Sequence, residues 1–108
     1  MINANVIAMS SQTRFKFRLY VAGGTHNAAV ASANLHVLCQ THLPERHEIE
    51  VVDVFLDPAI ALADAVFMTP TLVKLLPLPV CKIIGTLSQP ATVLQVLGLP
   101  ALSPSSAP

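Results

Sequence analysis

Chemistry in this chain would have to come from two cysteines, four histidines and six carboxylates, so their spacing is weighed first. Cys39 and Cys81 stand far apart with no C-x-x-C spacing, and in a reducing compartment such residues are small buried hydrophobes rather than a redox pair. Thiol–disulfide exchange also needs a thiolate at a helix N-terminus, where the positive end of the helix lowers its pKa. That position is held by Gly24-Thr25-His26-Asn27, without a cysteine. His36, Cys39 and His42 carry zinc-ligand chemistry, but residues three apart share a helix face and residues six apart do not. They therefore read as surface histidines beside a core cysteine. Asp53 and Asp57 could be proposed as paired carboxylates; the simpler reading is a strand-end residue and a helix cap. No catalytic residue, cofactor site or metal site is expected.

Binding is then the remaining kind of work. The 108 residues suffice for one modest core, and the formal net charge is zero with the six Lys and Arg scattered, so no basic footprint for nucleic acid or an anionic membrane is present. Charged residues make up only 11% against roughly 25% in an ordinary domain. Some apolar surface should stay uncovered after folding, which favours a protein partner or self-association. The apolar run over 59–68 is interrupted by Asp64 and stopped by Pro70, far short of the roughly 20 residues that span a bilayer. The first ten residues lack both a basic start and a continuous apolar stretch, so no secretion signal is read and a cytoplasmic location is expected.

The elements that must position these residues follow from periodicity. Residues 1–13 read as a flexible leader. From Phe15, apolar Phe15, Phe17, Leu19 and Val21 alternate with Lys16, Arg18 and Tyr20, which is a strand. Ala28, Ala31, Leu35 and Leu38 form a helical stripe over 28–40, and Ile49, Val51, Val52 and Val54 a second strand whose apolar content predicts an interior place in a sheet. Asp57-Pro58 starts a short helix over 59–66, with Asp57 as N-cap. Pro70 fixes its own φ and keeps Thr69 extended, so the helix ends and a strand over 71–76 begins. Pro77-Leu78-Pro79 turns the chain into an antiparallel strand over 80–84, closing at Gly85. Ser88 as cap, Pro90 in the first turn and Gly98 as stop frame a last helix over 91–97. The Pro- and Ser-rich residues 100–108 read as a disordered tail, leaving one domain over 14–99. Strand residues turned away from a core are available to a partner, which selects Tyr20, Lys74 and Lys82 as the candidate interaction surface.

The order βαβαββα is that of a thioredoxin-like α/β domain, with Thr69-Pro70 where that superfamily carries its cis-proline. A closer match lies in Leu19-Tyr20-Val21-Ala22-Gly23, Val52-Asp53-Val54 with Asp57-Pro58, Thr69-Pro70-Thr71-Leu72-Val73-Lys74, and Leu78-Pro79-Val80-Cys81-Lys82-Ile83-Ile84-Gly85 followed by Leu87-Ser88. From about Phe15 to about Leu97 the chain resembles the KaiB family of circadian-clock proteins. The resemblance implies a non-enzymatic, metamorphic regulator that binds a KaiC-type ATPase ring. It also implies two folds, the thioredoxin-like form that engages the ring and a ground-state form, commonly tetrameric, in which the last helix becomes a strand. Self-association to a dimer or tetramer is therefore a further expectation. Pro70, Gly85, Ser88, Pro90, Val96 and Gly98 are the residues expected to decide between the folds. Pro90 is tolerated in a helix's first turn but removes a ladder bond from a strand, so the thioredoxin-like form is predicted to dominate. Val30, Glu50, Ala65 and Cys81 stand where the family commonly has basic residues, and this departure bears on partner binding; the alternative reading is a diverged thioredoxin-like redox or stress-response protein without a clock partner.

Overall fold

The protein is described here by a computed structural model over residues 13–100, so the leader and tail expected at the two ends fall outside the described residues apart from Thr13 and Pro100. Seven elements follow in order: β1 (Phe15–Val21), α1 (His26–His42), β2 (His47–Asp53), α2 (Pro58–Ala63), β3 (Thr71–Leu76), β4 (Cys81–Ile84) and α3 (Pro90–Leu97). They form one four-stranded sheet in the order β2-β1-β3-β4. β1 and β2 are parallel, joined through α1, while β3 runs antiparallel to both β1 and β4. The expected βαβαββα architecture is observed, including the antiparallel pairing of the last two strands.

Each helix begins and ends for an identifiable reason. The Thr25 hydroxyl accepts from the Ala28 N–H at 3.2 Å, and the helix runs two residues further at each end than its apolar stripe predicts. Pro58 and Pro90 occupy first-turn positions of α2 and α3, where a missing N–H costs no intrahelical bond. α2 stops at Asp64 rather than at Val66, because Ala65 takes a positive φ of 55° and turns Val66 into the core. α3 ends at Gly98, whose φ of 76° is the left-handed cap conformation that glycine takes without steric cost. Ser88 is not its N-cap. Gln89 holds that position without a side-chain capping bond, and the Ser88 hydroxyl accepts from Thr86 Oγ1 at 3.3 Å instead.

The two sheet faces are covered unequally. On one face Phe15, Phe17, Leu19 and Val21 of β1 and Leu72 of β3 pack with Ala31, Leu35, Leu38 and Cys39 of α1 and Val93, Leu94 and Leu97 of α3. On the other, a smaller cluster of Tyr20, Val52, Ala61, Val66 and Val73 lies beneath α2 alone. The interior place predicted for β2 is corrected. β3 takes the inner position against β1, β2 is an edge strand, and Glu48, Glu50 and Val51 are exposed along it. The Thr69-Pro70, Leu76-Pro77 and Leu78-Pro79 bonds are all cis.

Candidate functional site

Tyr20 was expected on the surface because it alternates with core residues. Its side chain is instead fully buried, since α2 covers the second face of β1. Its hydroxyl donates to Asp64 Oδ2 and lies 3.3 Å from the Ile60 carbonyl, both at the C-terminal end of α2. Burial, and then the hydrogen bond to Asp64, raise its pKa above the ordinary 10.0. Arg18, two residues earlier on the same face, donates through Nε to Glu50 Oε1 at 2.9 Å and through Nη1 to Asp64 Oδ2 at 3.1 Å. One guanidinium thus joins β1, β2 and α2. Its pKa is raised by the hydrogen bond to Glu50 foremost, followed by Tyr20. Asp64, which the sequence shows only as an interruption in an apolar run, is the shared acceptor of this network. A single carboxylate inside ten apolar-rich residues was the signal available for it.

Lys74 is corrected in the same way. It pairs with Phe17 across β1 and β3, which puts it on the face packed by α1 and α3, and only 5% of it is exposed. Its ammonium sits 6.0 Å from the Phe15 ring centroid, at the outer limit of a cation–π contact. Lys82, opposite Val73 on the second face, is exposed as predicted, with Nζ 3.4 Å from the Ala65 carbonyl. The three proposed partner-binding residues are therefore not brought together: two are buried, on opposite faces, and Lys82 alone is available.

The remaining reactive groups are dispersed. Asp53 Oδ1 accepts from the Gly23 and Phe55 N–H groups at 3.1 and 2.9 Å, a strand-end lock, and Asp57 makes no side-chain capping bond despite its N-cap position. Cys39 lies in the core, where burial pushes its thiol up to about 12. Cys81 is half-buried, with Sγ 3.6 Å from the Pro79 carbonyl and 3.9 Å from that of Val96. Among the described residues no group of three His, Cys, Asp or Glu side chains is placed to hold a metal ion. No described helix is long and apolar enough to cross a membrane. An open groove of about 310 Å³ lies between α1 and the segment before α3, bordered by Asn34, Val37, His42 and Leu87. Asn34 Nδ2 donates to the Thr86 carbonyl there at 2.8 Å. What the surface does offer in quantity is exposed apolar side chains, among them Phe55, Leu56, Leu62, Phe67, Met68 and Ile84. That is the chemistry of protein contact.

Known proteins carry the same pattern. The KaiB domain signature matches residues 18–99. The circadian clock oscillator protein KaiB of Prochlorococcus marinus is 41% identical over 91 residues, which span 84% of this chain and 78% of that protein. Among solved structures, the N-terminal domain of Synechococcus elongatus SasA superimposes with a TM-score of 0.65 at 18% identity, over 80% of this chain and 85% of that domain. Mitochondrial thioredoxin 3 of Saccharomyces cerevisiae gives 0.64 at 20% identity, over 89% of each chain. These two likenesses speak for the fold, which is thioredoxin-like in sheet order and helix placement. A KaiB signature over most of the described residues, carried on that fold, makes this chain a member of the KaiB family.

Proposed function

We propose that this chain is a regulatory binding protein of the circadian-clock type, working in the cytoplasm, which docks on a KaiC-like ATPase through its thioredoxin-like fold. The unit that does so is the domain over 14–99. The observation carrying this reading is the KaiB-domain match over 18–99 in a chain whose last element is a helix rather than a strand. Exposed Lys82 is the cation left to meet an acidic partner surface, Tyr20 and Lys74 being committed to the interior. Gly85, Pro90 and Gly98, at the borders of the last strand and helix, and Val96 within that helix hold the form that binds. Pro70 opens this half of the chain, and Ser88 lies in its connecting loop.

Co-elution with a KaiC-type ATPase ring tests the reading. Binding is expected in at least one nucleotide state of the ring and should weaken when Lys82 is replaced by Glu. Absence of binding in every nucleotide state would overturn it.

A further inference from the structure

We propose that the groove between α1 and the segment before α3 holds the apolar part of this chain's own leader, Val6-Ile7-Ala8-Met9. At about 310 Å³ the groove is at the small end of ligand sites, which run to roughly 1,000 Å³, and it suits a few side chains rather than a folded partner. Val37, the exposed large apolar side chain of α1, lines it together with Leu38, Leu87 and Pro90. Asn34 ties the two walls to each other through its bond to the Thr86 carbonyl. No Asp, Glu, Lys or Arg lines the groove, and its polar groups are those of Asn34, Thr41, His42 and Ser88. The matching occupant is apolar and uncharged, with amide or hydroxyl groups at its edges.

The leader has that chemistry and starts within reach. Residues 1–13 carry no charged side chain, and Val6, Ile7 and Met9 are flanked by Asn3, Asn5, Ser10 and Ser11. The chain enters the described region beside the loop that follows α1: Arg14 donates to the Glu45 and His47 carbonyls, and the Phe15 N–H donates to the Arg46 carbonyl at 2.8 Å. His42, which borders the groove, is three residues before Glu45. Val6 is seven residues before Thr13, at most about 25 Å of chain, while the α1 wall from Asn34 to His42 is about 12 Å long. The apolar stretch can therefore lie along the whole wall. Residues 101–108 are the poorer occupant, since they leave from the far end of α3 beyond Gly98 and hold one large apolar side chain, Leu102. A seated leader braces the start of α3 against α1. The contact does not depend on the clock-type reading and holds or fails without an ATPase present.

Nuclear Overhauser contacts between methyl groups of the full chain read it directly. The methyls of Ile7 and Met9 are expected to contact those of Val37 and Leu87 within one chain, at every protein concentration. Ile7→Asp should abolish these contacts while leaving the far-ultraviolet circular dichroism unchanged. It should also speed exchange of the Val93 amide, which donates to the Gln89 carbonyl at 3.1 Å near the start of α3, by about tenfold. Ile7→Leu should preserve both readouts, as should Leu62→Asp on the exposed side of α2. Groove methyls that contact Leu102 instead, contacts found only between differently labelled chains, or no contact from residues 1–12 would each overturn the proposal. So would a Val93 amide that Ile7→Asp leaves at its wild-type rate.

Discussion

At the scale of single residues, the hydroxyl of Tyr20 carries more structural weight than its place in an alternating strand suggests. Removing it as Tyr20→Phe leaves the Asp64 carboxylate with Arg18 alone and should cost about 1–3 kcal/mol, read from urea unfolding. The phenol also sets a sign. Its pKa is raised in the folded chain, so on titration the unfolded chain loses the proton first, and this contribution is present below pH 10.0 and lost as pH rises through the folded value. Cys39 acts in the same direction: raised from 9.0 to about 12, its stability contribution is full below pH 9.0 and is lost as pH rises toward 12. A neutral buried thiol is also a poor nucleophile. In the native chain an alkylating reagent is expected to modify half-buried Cys81 and to reach Cys39 only after denaturation, which a mass measurement of each modified peptide checks.

At the scale of elements, α3 is held by punctuation rather than by length. Eight residues make about two turns, too few to persist on propensity alone, so Pro90 at its start, Gly98 at its end and the burial of Val93, Leu94 and Leu97 must hold it. Gly98→Ala forces a Cβ into the left-handed region at φ 76° and should cost about 1–2 kcal/mol, lowering the melting temperature by several degrees. Backbone chemical shifts over 90–97 are expected to be helical, and extended values there would remove the thioredoxin-like reading. These borders were legible because proline and glycine act locally: β3 starts at Thr71, directly after the Pro70 that forces the turn, and spans the predicted 71–76. The cap was not legible in the same way. Ser88 and Gln89 are adjacent polar residues, and which one caps depends on how the loop from Gly85 approaches the helix, with Leu87 at a positive φ of 62°.

At the scale of the whole molecule, the order of elements and the covered face of β1 could be read from periodicity, whereas the second face could not. Alternation shows that Lys16, Arg18 and Tyr20 share a side, but it does not say whether another element lies over that side. α2 does lie there, and Tyr20 is buried as a result. β2 misled for a related reason: Val51 and Val52 suggested burial on both faces, but strand order is decided by where β3 inserts, a long-range choice that no local pattern encodes. Asp64 was missed because its partners are 44 and 46 residues away. Family membership was legible throughout, being carried by short motifs rather than by packing.

The unequal cover of the two faces sets the order in which the molecule comes apart. α1 and α3 lie together on one face, whereas α2 is six residues long, lacks a side-chain cap and is fastened at its far end by the bonds to Asp64. It is a flap with one latch. In native-state hydrogen exchange the amides of α2 should trade protons well before those of α1, by local opening rather than global unfolding. Asp64→Asn should speed that exchange in α2 while leaving the α1 amides at their own rate, and equal acceleration of both helices would show that the latch belongs to the whole fold instead.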